Sequence, residues 1–190
     1  PWLQRWDVRA SRRVNHFIAN SRHVQKRIKK YYNQEATIIH PPVDTGMFTP
    51  DKKEGKEDYF LIVSAFAPYK RLDLAVDAFN QLNLPFFVIG EGQDAKRLKE
   101  MAKPNIHFEG WLDNSQIRSH FARCRAFIFC GEEDFGITLL EAQAMGRPVI
   151  TFGKGGALET VVPDRQSWKP ETGIDKSVTS QPTGVFFYEQ

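Results

Sequence analysis

Apolar residues along this chain gather in short continuous runs and not in strict alternation. The runs are "HFIA" (16–19), "TIIH" (37–40), "YFLIVS" (59–64), "FFVIG" (86–90), "IHFEG" (106–110), "AFIFC" (126–130), "PVITF" (148–152) and "GVFFY" (184–188). A short apolar run bounded by turn formers reads as a strand covered on both faces, the pattern of parallel sheets. Between these runs the apolar positions recur at helical spacing. Residues 71–82 put Leu72, Ala75, Val76, Phe79 and Leu82 on one stripe, 115–124 repeat it with Ile117, Phe121 and Cys124, and 95–102 form a shorter segment. Ser21 stands where it would cap a helix over 22–31, with Val24 and Ile28 four apart. A helix over 137–145 stops at Gly146, with Pro148 just beyond. Strands and helices alternate through short connections, which predicts an α/β fold with a doubly wound, mostly parallel, Rossmann-like sheet.

Length and composition bound the picture. The 190 residues suit one core, and 41% hydrophobic with 26% charged residues is ordinary globular composition. No apolar run approaches the roughly 20 residues that a membrane-spanning helix needs. The first residues lack the apolar centre of a signal peptide. The chain opens on Pro1 and closes just past "FFYE", where a covering helix is expected, so a segment of a longer chain is the expectation. Two stretches read as irregular, 50–58 and 163–183, the second long enough that it is expected to be mobile or functional. Cys124 and Cys130 stand outside any Cys/His cluster and read as reduced core residues, which points to the cytoplasm. The histidines show no ligand spacing, so no metal site is expected.

The net charge of +3 conceals an asymmetry. Residues 1–33 hold nine Lys/Arg and one acid, a balance of +8, and the remainder carries −5. A basic end of this kind suits an anionic membrane surface, an acidic acceptor or nucleic acid, or is simply a solvated helix face.

Candidate chemistry collects at the strand ends, where open parallel sheets bind their ligands. "SAFAPYKR" follows the third strand, "GEGQ" the fourth, "GWLDN" the fifth, "GEEDFG" the sixth and "GKGGALE" the seventh. Gly136 opens the helix over 137–145, so its first N–H groups would face the crevice and bind phosphate with help from the helix dipole. Lys70 would supply a cation. Glu141, a turn into the helix, would accept from vicinal hydroxyls such as a ribose. Glu133 and Asp134, just before the helix, would hold sugar hydroxyls. A nucleoside diphosphate joined to a sugar fits this order of groups. Taken one at a time the same residues have bland readings. Glu133 suits a helix N-terminus as an acid, Glu141 suits a buried arginine, Lys70 and Arg71 suit a surface helix start, and the glycines suit turns.

The residues "FIANS" (17–21), "IIHPPVD" (38–44), "APYKRLDLAVDAF" (67–79), "VIGEG" (88–92), "HFEGWL" (107–112), "EDFGITLLEAQAMGRPVI" (133–150), "GGALETV" (155–161) and "TGVFF" (183–187) resemble the donor-binding, C-terminal domain of the retaining glycosyltransferases of family 4, which have the GT-B fold. The pair Glu133 and Glu141, with seven residues between them, and the upstream "PYKR" are its most specific marks. The resemblance implies a donor domain over 15–190 and the tail or hinge of an acceptor domain over 1–14. It implies that Lys70, with Arg71 beside it, binds the donor diphosphate and that Glu141 binds ribose. Glu133, with the backbone of Asp134, Phe135 and Gly136, would hold the donor sugar. Thr138 and Leu139 would offer N–H groups to phosphate, and the backbone of Gly110 and Trp111 would read the base. Glu133 and Lys70 would stand nearest the chemistry, with no metal and no cofactor, because lysine and helix dipole neutralise the leaving diphosphate.

The implied enzyme is a retaining hexosyltransferase using a nucleotide sugar, with UDP favoured over GDP and a polysaccharide or lipid-linked glycan as acceptor. It would be cytoplasmic, with peripheral membrane contact and no nucleic acid. The donor domain alone would bind without transferring. Two departures from the family pattern stand out. A second arginine usual five residues before the lysine is Ala65 here, leaving Arg71 or Lys154 to compensate, and Gly131 replaces a proline or serine, a change expected to matter little. A nucleotide-sugar 2-epimerase on the same fold and a non-catalytic nucleotide-binding module are the alternatives.

Overall fold

The computed structural model describes residues 2–50, 55–169 and 181–189. The first part is a small unit. Helix α1 (Trp2–Ser11) leads into strand β1 (Phe17–Ala19), helix α2 (Arg22–Tyr32) and strand β2 (Ala36–Ile38), and β1 pairs with β2 in parallel. The segment expected as a tail or hinge is therefore mostly helical. Tyr32 donates to Asp7 at 2.8 Å and ties α1 to α2. Asn33 closes α2 in the left-handed conformation, its N–H donating to the Lys29 carbonyl.

The remaining strands are β3 (Phe60–Val63), β4 (Phe86–Ile89), β5 (Ile106–Gly110), β6 (Ala126–Phe129), β7 (Val149–Phe152) and β8 (Gly184–Phe187). They form one sheet in the order β5-β4-β3-β6-β7-β8, with every neighbour parallel. Parallel neighbours need a crossover, and the crossovers are α3 (Leu72–Leu82), α4 (Ala95–Met101), α5 (Asn114–Arg123), α6 (Ile137–Ala144) and the short α7 (Ala157–Thr160). The chain winds from β3 outward to β5, then returns to β6 beside β3 and winds the other way. Its direction reverses between β3 and β6, and the helices that follow those two strands cover opposite faces of the sheet, the place where open parallel sheets form a binding crevice.

Both faces of the sheet are covered, as the continuous apolar runs predict. One core joins Phe121, Phe127, Leu139 and Met145 under α5 and α6, and the other joins Val76, Phe79, Phe86 and Leu98 under α3 and α4. All four residues of β6 are buried, which suits a central strand. Leu82, expected on the buried stripe of α3, is 59% exposed because the helix ends there and Asn83 turns left-handed. Cys124 and Cys130 are free and buried, and burial pushes each thiol up to about 12. Residues 51–54 and 170–180, within the stretches expected to be irregular, lie outside the described residues. No helix among the described residues is long and apolar enough to cross a membrane.

The small unit docks on the large one through side chains. Glu159 of α7 accepts from the backbone N–H of both Arg22 and His23 at 2.9 Å, and Ser21 accepts from Val24 N–H at 3.1 Å. The first three donors of α2, which the helix itself cannot satisfy, are thus all taken. Arg27 pairs with Asp134 at 2.5 Å, His23 lies 3.6 Å from Glu132, and His40 stacks on Phe135 at 5.2 Å. Removing the Glu159 carboxylate leaves two helix-terminal donors without a partner, a loss of about 1 kcal/mol for partly exposed groups. Glu159→Ala is therefore expected to speed amide hydrogen exchange across α2 severalfold while leaving exchange in β6 unchanged.

Candidate functional site

Lys70 and Glu133 sit on the loops that leave β3 and β6, the two strands at the reversal. The chain leaves β3 through a 3-10 turn, Pro68–Lys70, whose last residue faces the β6 loop. Arg71 then takes the left-handed conformation at φ 53, unusual for a residue with a side chain, and starts α3. This sharp exit leaves the Lys70 ammonium in contact with a Glu133 carboxylate oxygen. The two side chains are 17% and 22% exposed.

Glycines bring these loops together. A Cβ on Gly131 would stand 3.1 Å from Lys70 Cα and 3.2 Å from its carbonyl oxygen. Gly131 therefore lets the Lys70 backbone lie close on the end of β6. On the other side, Gly156 donates to the Glu133 carbonyl at 2.7 Å, and Gly155 at φ 63 bridges to Glu133. A Cβ on Gly156 would stand 2.3 Å from Phe135 Cα. "GKGG" is thus a backbone clamp on the "GEEDFG" loop.

Gly136 at φ 84 precedes α6 and offers no side-chain cap. The first N–H groups of α6 have no partner inside the helix, which makes this end an anion site when a ligand is near. Thr138 is half-buried there. Leu139 differs from the sequence expectation: its N–H already donates to the Gly136 carbonyl at 3.1 Å, and its side chain is wholly buried. Phe135 is buried against His40, so it contributes backbone and packing. Glu141 is half-buried on α6, and its carboxylate has no hydrogen bond or ion pair among the described residues. Burial alone pushes its pKa above the ordinary glutamate value. The reading of Glu141 as a partner for a buried arginine is not met, because Arg147 turns to the Cys124 carbonyl at 3.3 Å.

Two hollows flank this centre. The larger, about 690 Å³, lies between α2 and the site loops, and it is bordered by Arg27, Lys30, Tyr31, Arg71, Glu133 and Lys154 among others. Lys30 and Lys154 have no acidic partner among the described residues, and Arg71 pairs with Asp73 at 3.2 Å. The smaller, about 270 Å³, is lined by Phe66, Phe108 and the glycines 90, 92 and 110. Gly110 at φ 70 sits on its edge, and Trp111, next in sequence, is 72% exposed. Gly90 belongs there because a Cβ at its position would strike the Ser64 carbonyl oxygen at 2.0 Å. Ala65, where the second cation was sought, is exposed on the β3 loop. The α2 wall was missed by the strand-end reading, since α2 belongs to the small sheet. The basic run over 22–31 was its one signal in the sequence. Among the described residues no group of His, Cys, Asp and Glu is placed to hold a metal ion.

Gly131 supplies a test of the loop packing. Gly131→Ala forces the Lys70 backbone back by a few tenths of an ångström. Affinity for a nucleoside diphosphate is expected to fall about threefold to tenfold, the scale of a weakened charge-assisted hydrogen bond. The bare nucleoside should bind as before, which isothermal calorimetry on both ligands checks.

Comparison with known proteins follows the same centre. The family model described as "Glycosyl transferases group 1" matches residues 47–175. An uncharacterised glycosyltransferase of Methanocaldococcus jannaschii is 25% identical over 150 residues, covering 76% of this chain and 42% of the relative. A GDP-mannose-dependent monoacylated alpha-(1-6)-phosphatidylinositol monomannoside mannosyltransferase of Corynebacterium glutamicum is 29% identical over 173 residues, covering 75% of this chain and 45% of the relative. The chain thus spans less than half of either relative. The structure of Anabaena Alr3699/HepE with UDP and glucose superposes with a TM-score of 0.75 at 18% identity, over 97% of this chain and 52% of that one, and shares the fold. The family model covers more than half of the chain, including Lys70, Glu133 and Glu141, and the chain belongs to the glycosyl transferases group 1.

Proposed function

We propose that these residues bind the nucleotide-sugar donor of a retaining hexosyltransferase. The observation that carries the reading is the meeting of Lys70 and Glu133 at the β3/β6 reversal, beside the uncapped start of α6. A diphosphate at that point gains an ammonium and helix N–H donors together. Glu133 then lies on the sugar side, with the α2 hollow beyond it. Glu141 lies on the ribose side, with a carboxylate free to accept from vicinal hydroxyls. The small hollow between Phe66 and Phe108 suits a flat base against the Gly110 backbone.

In the transfer step negative charge grows on the leaving diphosphate and positive character grows on the sugar. Lys70 and the α6 N-terminus oppose the first, and the Glu133 carboxylate favours the second. No metal is part of this scheme. The acceptor, a polysaccharide or lipid-linked glycan, would meet a second domain across the crevice, and these residues alone would bind donor without transferring. UDP is favoured, supported by the HepE likeness, and GDP-mannose is supported by the mannosyltransferase relative. The basic helices α1 and α2, with Trp2 and Trp6 exposed, support a cytoplasmic enzyme held peripherally at an anionic membrane.

Calorimetry of the full-length protein with UDP, GDP and their glucose and mannose conjugates tests the reading. Absence of binding to all of them would sink it. Lys70→Ala is expected to weaken the nucleoside diphosphate by about 1.5–3 kcal/mol, the scale of a charge-assisted hydrogen bond, and to spare the nucleoside. A second expectation concerns pH. Ribose hydroxyls donate to the ionised Glu141, and burial raises the pKa at which it ionises. Nucleoside affinity should therefore fall as pH drops through a value above the ordinary glutamate range, and Glu141→Gln should flatten that profile.

A further inference from the structure

Glu133 does more in this structure than wait for a sugar. Its carboxylate already holds the Lys70 ammonium, the same cation that the donor diphosphate requires. We propose that Glu133 is an internal competitor of the diphosphate, and that this competition makes the site prefer a nucleotide sugar over the nucleoside diphosphate left after transfer. The inference rests on the donor-binding reading above.

Both backbones are tied into their own loops. The Lys70 N–H donates to the Ala67 carbonyl at 2.9 Å within the 3-10 turn. Glu133 is held through its carbonyl by Gly156 at 2.7 Å. The exchange is therefore confined to side chains. A bare nucleoside diphosphate must share Lys70 with the carboxylate, accepting repulsion between two anions, or displace the carboxylate and leave it without a partner in a partly closed site. Both are unfavourable, because a charge sheltered from water needs compensation.

The other cations of the hollow have other neighbours in this structure, Lys30 among them with its ammonium over the Tyr31 ring at 5.2 Å from the centroid. Arg27 is engaged by Asp134 at 2.5 Å, and Arg71 by Asp73 at 3.2 Å. Lys154, on the same hollow, points its ammonium over the Phe152 ring at 5.1 Å from the centroid. A donor with its sugar attached resolves the conflict. The diphosphate takes Lys70, and the sugar hydroxyls donate to the released carboxylate. When the sugar has moved to the acceptor, those donors leave with it. The carboxylate then returns to Lys70 and promotes departure of the nucleoside diphosphate. Glu133 thus sets a difference between two affinities and not simply the strength of one.

The test uses the full-length protein, with UDP and UDP-glucose as one probe pair and GDP and GDP-mannose as the other. Dissociation constants are measured by calorimetry for wild type, Glu133→Gln, Glu133→Asp, Lys70→Met and the Lys70→Met/Glu133→Gln pair. Glu133→Gln keeps the shape and removes the charge. It is expected to bind the nucleoside diphosphate about tenfold more tightly than wild type, on the scale of a charge-assisted contact. The nucleotide sugar should gain nothing, so the ratio of the two affinities collapses. Glu133→Asp, which keeps the charge, should retain the discrimination better than Gln. Lys70→Met should erase the gain from Glu133→Gln. In turnover assays Glu133→Gln should show stronger inhibition by the nucleoside diphosphate product. A purely structural Glu133 would weaken both ligands together, and that outcome, or unchanged nucleoside diphosphate affinity in a variant that melts like wild type, overturns the proposal. A wild-type protein that binds neither probe pair overturns the donor reading and this inference with it. Tight nucleoside diphosphate binding in wild type with unchanged affinity in Glu133→Gln overturns the inference alone.

Discussion

Two opposite charges are held in contact where the sheet reverses direction, and the surrounding backbone is shaped around that contact. β3 and β6 are neighbours in space but distant in sequence. Their loops leave the same edge side by side, so an ammonium from one and a carboxylate from the other meet without long reach. The winding of the chain creates the crevice, and the ion pair occupies it. A sheet wound in one direction only would have its crossovers on one face and no such opening.

Small residues then set the distance between loops. Gly131 admits the Lys70 backbone, while Gly155 and Gly156 bring the β7 loop against the residues that precede α6. In each case a β-carbon would meet backbone and not a flexible side-chain tip, which is why rearrangement is costly there. The large apolar side chains under α3 to α6 stabilise the sheet, but these glycines place the charges. The cost of a cavity in the core and the cost of a misplaced loop are therefore separate properties of this protein.

The strands were legible within a residue or two, because a run covered on both faces carries few polar residues. Lys70 and Glu133 were legible as members of one crevice through the strand-end rule, but their contact was not, because it depends on β3 and β6 being neighbours. Five further features were not. Glu159 caps a helix that lies more than a hundred residues away in sequence, and no local pattern marks such a pairing. The α2 wall belongs to a separate two-stranded sheet, so the rule for the main sheet passed it by. α1 intersperses Trp2, Leu3 and Trp6 with arginines and leaves all three exposed, so its apolar residues define no buried stripe in these residues. Gly131 was noted only as a departure expected to matter little, since its contact is with the backbone of another loop. The free N–H of Leu139 was expected from helix geometry, and the tight first turn of α6 consumed it.

The two cysteines have a practical corollary. Both are buried, and burial lifts each thiol to about 12, so at neutral pH almost none is present as the nucleophilic thiolate. Maleimides and iodoacetamides react with thiolates and need access to them, so the native chain is a nearly silent background for such reagents. A single introduced thiol, for example Tyr31→Cys on the 59% exposed rim of the large hollow, will carry a fluorophore or spin label at one known place. A second introduced thiol on the large sheet would make a label pair, and movement between the two sheets would then be open to distance measurement without first deleting a native cysteine.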